Sequence, residues 1–285
     1  MPQLETALTE RLGVTAPLVQ APIGSASCPE LAAAVASVGG LGMLAITWRD
    51  EASTRAAIAE TRRRTDGVFG VNIVVDPEAK AIPTETHVEI CQETGVEVVS
   101  FSFGDAEPYI DEIHDYGGTV LQTVGSAEEA TAAVKAGVDI VVAQGWEAGG
   151  HVQSEVATLP LVPRVVDAIP ETPVVAAGGI ADGRGIAAAL TLGAAGAWRE
   201  WQAAGRPETD RPRAGEVVAR AADGSSIRRY EDSLAVPETE GAVEALPLYA
   251  GQSVGLTEAV LPAEELVSTL VDETLDALDS VVEEQ

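Results

Sequence analysis

The sequence predicts a (β/α)8 barrel, and three observations carry that expectation. Eight short apolar runs punctuate the first 198 residues. An alanine-rich helical stretch follows the runs, so that the unit recurs at roughly 25 residues, enough for one strand, one helix and their loops. The runs are rich in Val, Ile and Leu with little alternation, as in strands buried on both faces of a parallel sheet. A doubly wound sheet shares this alternation, and periodicity alone does not separate the two.

The expected strands, in order, are Pro17–Ala21, Leu41–Ile46, Val68–Val74, Glu97–Phe103, Thr119–Val124, Ile140–Gln144, Pro173–Ala177 and Ala194–Trp198. The helices between them have recognisable starts. Pro29 stands at a first helical position ahead of Glu30–Val35, where its missing N–H costs nothing. Ser126 with Glu129 makes a capping box before Ala130–Ala136. Asp182 can cap Gly183–Leu192. From Arg199 to Leu261 the chain turns rich in Pro, Gly, Asp and Glu. One hairpin pattern stands out there: Glu216–Arg220, a turn at Asp223-Gly224, then Ser226–Tyr230. The stretch Pro262–Glu284 reads as a helix with Leu266, Leu270, Val271, Leu275, Leu278 and Val282 on one face. It is placed to close the barrel.

Composition narrows the function. Against 17 basic residues stand 45 acidic ones, a formal charge of −28 on 285 residues. Such a surface repels nucleic acid and anionic lipid, so neither is an expected partner. The acids are spread along periodic segments rather than blocked, which argues for a folded chain and against acidic disorder. Adaptation to a salt-rich cytoplasm explains this charge best, because salt screens self-repulsion over a few ångströms; an acidic enzyme of an ordinary cytoplasm is the alternative. The opening Met1-Pro2-Gln3-Leu4-Glu5 shows no secretory leader, and no apolar run reaches the ~18–20 residues of a membrane span. A cytoplasmic location is therefore expected. Cys28 and Cys91 are the only cysteines, which excludes a disulfide framework and any Cys-x-x-Cys site. With only three histidines besides, no metal centre is expected.

In a parallel barrel the chemistry sits at the carboxyl ends of the strands. Those ends read Gln20-Ala21-Pro22-Ile23-Gly24, Gly70-Val71-Asn72, a strand holding Gln122, Gln144-Gly145-Trp146-Glu147-Ala148-Gly149-Gly150-His151, and Ala177-Gly178-Gly179-Ile180-Ala181-Asp182-Gly183. Amides and glycines gather there; acid–base pairs of charged groups do not. These stretches, with Pro29–Val35, Gly39-Gly40-Leu41-Gly42 and Leu248–Gly255, resemble the nitronate monooxygenase family, formerly called 2-nitropropane dioxygenases.

The resemblance implies an FMN-dependent TIM barrel that oxidises alkyl nitronates with O2 to carbonyl compounds and nitrite. It implies that Ala21, Pro22 and Ile23 line the flavin, that Asn72, Gln144 and Gln122 hydrogen-bond to it, and that Gly149 lets its loop pass close by. Gly178 and Gly179 would offer backbone N–H groups to the phosphate beside a helix start. His151 would act as catalytic base or position the nitro group, since imidazole titrates in the working range. The expected partners are a small nitronate or nitroalkane and O2, with a second copy of the chain admitted as a homodimer. Two rival readings are a flavin-dependent enoyl-acyl-carrier-protein reductase II and a non-catalytic barrel that has lost flavin. His87 and His114 read as surface residues on helices, and Cys28 as a helix-cap position.

The chain departs from the family after strand eight. Gly196-Ala197-Trp198-Arg199-Glu200-Trp201 stands where a Gly-Thr-Arg-Phe-like phosphate turn is usual. That turn and the stretch after it are missing. The expected organisation is one domain: residues 1–198 as eight βα repeats, and 199–285 as a shortened insert, an active-site loop and the closing helix.

Overall fold

The computed structural model describes residues 4–76, 81–199, 215–221, 223–229, 239–243, 246, 251–257 and 259–283. Eight parallel strands appear where the apolar runs place them: β1 (Leu18–Gln20), β2 (Gly42–Ala45), β3 (Phe69–Val74), β4 (Val98–Ser102), β5 (Thr119–Val124), β6 (Ile140–Gln144), β7 (Val174–Ala177) and β8 (Gly196–Arg199). Their order around the sheet is β1-β8-β7-β6-β5-β4-β3-β2. The two ends meet through a parallel bridge between Val19 and Leu41. That bridge closes the sheet, so the fold is the barrel and not the doubly wound alternative. The Gln20 side chain extends the seam, its Oε1 accepting the Met43 N–H at 3.0 Å.

The helices are α1 (Ala7–Leu12), α2 (Pro29–Ser37), α3 (Glu51–Arg64), α4 (Thr84–Thr94), α5 (Glu107–Asp115), α6 (Ala127–Ala136), α7 (Thr158–Ala168), α8 (Gly183–Thr191) and α9 (Ala263–Glu283). Pro29 opens α2 as expected, with Cys28 at the cap position but making no side-chain cap bond. In the α6 capping box, Ser126 Oγ accepts the Glu129 N–H at 3.1 Å. The returning Glu129 carboxylate reaches one residue further than the motif predicts, to the Gly125 N–H at 2.8 Å. Asp182 caps α8 through the Gly185 N–H at 3.1 Å.

Two apolar layers hold the barrel. The outer layer lies between strands and helices and includes Ile73, Phe101, Val141, Ile110 and Val165. The inner one fills the lumen with Val19, Met43, Val98, Leu121, Ile140, Val142 and Val175. Helix α1 plugs the amino end of the lumen with Leu8 and Leu12, and Thr6 Oγ1 ties it to the Ala195 carbonyl at 2.8 Å. Beside it Asp139 pairs with Arg11, meets His114 Nε2 at 2.8 Å and accepts the Val120 N–H at 2.8 Å. His114 is exposed as expected.

His87 corrects the sequence reading: it is fully buried. Helix α4 turns Thr84, His87, Val88 and Cys91 inward, a stripe at steps of three and four, and His87 falls in its centre. The flanking Glu85 and Glu89 gave that stretch its solvated look. Burial pushes the Cys91 thiol up to about 12, so it is an inert core group.

Helix α9 packs chiefly against α8 and also against α2. Its buried face is Val267, Leu270, Val271 and Thr274, rotated from the expected leucine stripe, so that Leu266, Leu275 and Leu278 sit half-buried at the margin. The side chain of Val282 lies outside the described residues. The hairpin pattern forms β9 (Val217–Arg220) and β10 (Ser226–Arg228), joined by β11 (Glu240–Gly241). These strands build a small core of Val218, Ala219, Ile227 and Leu246. Among the described residues, no helix is long and apolar enough to cross a membrane.

Candidate active site at the carboxyl end of the barrel

The lumen changes character toward the carboxyl end. Strand residues alternate between faces with period two, so Val98, Leu121 and Val142 in the lumen place Ser100, Ser102, Thr123 and Gln144 there as well. Val68, packed against the same cluster, places Asn72 with them. All five side chains are buried, and Asn72 Nδ2 donates to Ser102 Oγ at 3.3 Å. The mouth is thus a ring of amides and hydroxyls over an apolar plug. Ser100, Ser102 and Thr123 escape the sequence reading.

Gln122 does not join this ring. It stands in register between Phe101 and Val141, both members of the outer layer, so it faces the helices. Its Nε2 donates to the Gly104 carbonyl at 3.2 Å, and its Oε1 is buried without a protein partner. A shift of one residue along a strand reverses the face, and it is Thr123 that turns inward.

The turn after β1 is held from inside. Ser27 Oγ accepts the Ile23 N–H at 2.6 Å and donates to the Ala21 carbonyl at 3.1 Å. Ser27 is fully buried, and it fixes Ala21-Pro22-Ile23 as a wall at the mouth. Sequence reading misses it because a lone serine before Cys-Pro looks like loop filler; only the returning chain makes it a brace.

The loop after β6 is similarly pinned. Gln144 Oε1 accepts the Gln153 N–H at 2.9 Å, and its Nε2 donates to the His151 carbonyl at 3.1 Å. Gln153 Nε2 donates to Glu129 on α6 at 2.7 Å, and Ser154 Oγ reaches the Gly125 carbonyl at 2.8 Å. Glu147 accepts both the N–H and the hydroxyl of Thr158 at the start of α7, at 2.7 and 3.0 Å. Its own carbonyl accepts the Gln252 N–H at 3.3 Å, so the 251–257 segment rests on this loop. Gly149 is buried in the turn, and the left-handed residue is its neighbour Gly150, φ +72°. The loop presents His151 at the surface of the mouth. The Phe103 ring meets the imidazole nearly edge-on, centroids 6.0 Å apart at 76°.

Gly178 and Gly179 follow β7 with φ of +108° and +73°. A Cβ at Gly178 would lie 2.8 Å from Thr158 Oγ1 and 2.9 Å from the Ala148 N, so local packing already demands glycine there. Gly179 is exposed, and among the described residues no backbone carbonyl takes its N–H. The start of α8, expected to share a phosphate, is instead closed by carboxylates. Asp182 holds the Gly185 N–H, and Glu273 of α9 accepts the Gly183 N–H at 2.9 Å. The Arg184 hydrogen bond and the Gly185 N–H hold the Asp182 carboxyl below its ordinary value. Of the stretch Gly196–Trp201 that stands in place of the family's phosphate turn, Gly196–Arg199 form β8, and residues 200–214 lie outside those described.

The family profile of nitronate monooxygenase matches residues 5–198, from α1 to the end of β8. This chain belongs to the nitronate monooxygenase family. A 5-hydroxy-7a-methyl-1-oxo-octahydro-1H-indene-4-carboxyl-CoA dehydrogenase from Rhodococcus jostii is 41% identical over 196 residues, covering 69% of this chain. The match spans about half the length of that relative, 54%. A nitronate monooxygenase from Pseudomonas aeruginosa is 34% identical over 346 aligned positions, covering 93% of this chain and 98% of the relative. That alignment is longer than the 285-residue chain itself, so the relative carries positions absent here. The FabK structure from Thermotoga maritima superposes with a TM-score of 0.82 at 31% identity, covering 99% of this chain and 100% of that one.

Members of the nitronate monooxygenase family are flavin oxidoreductases, and the mouth fits a flavin. Its donor set is uncharged amides and hydroxyls under an apolar wall, as the polar edge and flat face of the ring require. The Gly179 N–H can take a phosphate oxygen. Among the described residues no group of three His, Cys, Asp or Glu could hold a metal ion.

Proposed function

We propose that this chain oxidises alkyl nitronates with O2 in an FMN-dependent reaction that yields a carbonyl compound and nitrite. The observation that carries the reading is a ring of buried amides and hydroxyls whose Gln144 also holds the loop that carries His151. The Gln144 side chain grips the His151 backbone while Asn72 and Ser102 form the floor. In this reading Ala21, Pro22 and Ile23 wall the isoalloxazine, Asn72 and Gln144 meet its polar edge, Gly149 allows close approach, and Gly179 holds the phosphate. Bound FMN supplies the transfer of electrons from the substrate to O2.

His151 does the proton work. A nitronate arrives deprotonated and needs only to be oriented. A neutral nitroalkane must first lose the proton on the carbon bearing the nitro group, and in this reading His151 accepts it. Ser27 and Gln144 keep the wall and the His151 backbone fixed, so that their orientation is set before substrate enters.

The likeness to FabK supports a second reading, enoyl-thioester reduction with a nicotinamide donor. One set of measurements tests both. Purified protein titrated with FMN is mixed with ethyl nitronate under air, and nitrite is measured; separately, the FMN-loaded protein is mixed with NADH without other substrate. Nitrite release with slow bleaching by NADH supports the monooxygenase. Rapid bleaching without nitrite supports the reductase. A protein that binds no FMN overturns both. The salt-rich cytoplasm belongs to the same proposal: the −28 charge requires the melting temperature to rise between low and molar KCl.

A further inference from the structure

The geometry points to Phe103 as a specificity-determining residue that also positions the His151 imidazole, with Gln122 as the brace that holds Phe103 in place. The inference rests on the reading of the mouth as a nitronate site and names the part of it that meets the alkyl chain.

Phe103 has φ +54°, the one non-glycine residue with positive φ among those described. A bulky aromatic rarely adopts this conformation, and such strain persists only where the surroundings over-determine it. The surroundings do so here from both sides. Before it, the Ser102 carbonyl accepts the Val75 N–H at 2.9 Å. After it, the Gly104 carbonyl accepts Gln122 Nε2 at 3.2 Å. Gly104 also lies so close to Val75 that a Cβ there would come within 2.5 Å of the valine Cβ. The Asp105 carboxylate then accepts the Glu107 N–H at 2.9 Å and starts α5.

This clasp gives Gln122 a role on the outer face of the barrel. It fixes the turn whose left-handed residue carries the phenyl ring to His151, 6.0 Å between centroids at 76°. A right-handed or extended Phe103 would send its Cβ elsewhere. The half-buried ring therefore does two things at the mouth. It borders the imidazole edge-on and restrains its orientation on that side, and it offers an aromatic wall beside that imidazole against which an alkyl chain can pack. The substrate class that fits is a nitronate with an apolar chain of several carbons.

The test compares Phe103→Leu, Phe103→Gly, Gln122→Met and the Phe103→Leu/Gln122→Met double variant with the parent. With nitronates of two to six carbons, Phe103→Leu raises KM for the longest by about tenfold, the worth of a lost pocket contact, and changes kcat little. The shortest is almost unaffected. Gln122→Met shifts KM in the same direction and adds nothing to Phe103→Leu. Phe103→Gly, which relieves the positive φ, melts no lower than Phe103→Leu, so loss of fold does not explain the change. A second readout needs neither flavin nor turnover. The chain has three histidines, and the proton NMR signal of His151, assigned with His151→Gln, moves in Phe103→Leu and Gln122→Met while His87 and His114 stay put. A His151 signal unmoved by either variant, or KM shifts independent of chain length, overturns the inference. If the parent releases no nitrite from any nitronate, the proposed function fails, and the NMR comparison still decides whether Phe103 and Gln122 hold His151.

Discussion

At the amino end of the barrel, Leu8 and Leu12 fill the lumen and the charges around them meet partners, Asp139 answering both Arg11 and His114. At the carboxyl end, the same lumen is lined by Asn72, Ser102, Thr123 and Gln144. The loops above it hold a strained Phe103 and an exposed His151. One end satisfies its groups and is complete as it stands. The other keeps polar groups and backbone strain in one place, which a fold tolerates where a ligand or a reaction uses them. Stability and chemistry are thus assigned to opposite ends, and substitutions should separate them.

The largest separation is expected from His151→Gln. Turnover of a neutral nitroalkane should fall by about 10²–10⁴, the usual cost of a lost general base, with the melting temperature unchanged and turnover of the nitronate reduced far less. Equal losses on both substrates would assign His151 to orienting the nitro group alone. The mirror experiment is Leu8→Ala, which should cost about 2–5 kcal/mol in urea unfolding and leave FMN affinity of the folded protein intact. A stability loss matched by lost flavin would dissolve the contrast between the ends.

Smaller effects sharpen it. On the proposed phosphate contact, Gly179→Asp sets a carboxylate beside the N–H that would hold the phosphate, its Cβ 3.3 Å from that of Glu147, and losing one charge-assisted bond of ~1.5–3 kcal/mol should raise the Kd for FMN at least tenfold in a fluorescence titration. Unchanged binding would move the phosphate elsewhere. Asp182→Asn is the subtlest. The Asp182 carboxyl is held low in the fold, so its charge stabilises above the unfolded value and that contribution disappears as pH falls through the folded one. Asparagine keeps the cap bond and loses the charge. The parent should be more stable by about 0.3–1 kcal/mol at pH 7, with the gap closing below pH ~4. A gap that does not shrink as pH falls would trace to packing.

How much of this was legible depended on which physical signal each residue leaves in the sequence. The eight strands were legible because short apolar runs ending in glycine or a polar residue, each followed by an alanine-rich helical stretch, have few other uses in a chain of this composition. The same double burial hid the facing of each side chain. With apolar residues on both sides of β5, no alternation says whether Gln122 or Thr123 enters the lumen, and an amide draws the eye first. His87 was misplaced because a single imidazole on a helix flanked by glutamates carries no mark of burial. Helix α1, six residues long, left too little periodicity to see. Ser27, Phe103 and Gln153 act through partners distant along the chain or through a backbone angle, and neither is written in residue type. The family motifs carried His151, Asn72 and Gln144 to the mouth, where the barrel brings them together.

The seam between β1 and β2 carries one more consequence. Every other pair of neighbouring strands in the barrel shares three or more residue pairs, whereas here the ladder is reduced to Val19 and Leu41, with the Gln20 amide standing in for a further rung. Local opening follows the thinnest stitching. Amide hydrogens of Leu41 and Met43 should therefore exchange with deuterium well ahead of those in β4 to β6. The wall Ala21-Pro22-Ile23 continues directly from β1, so each breathing of that seam loosens one side of the berth proposed for the flavin. On that proposal, the route by which flavin enters and leaves is a motion of the barrel itself, a zipper opened by one tooth.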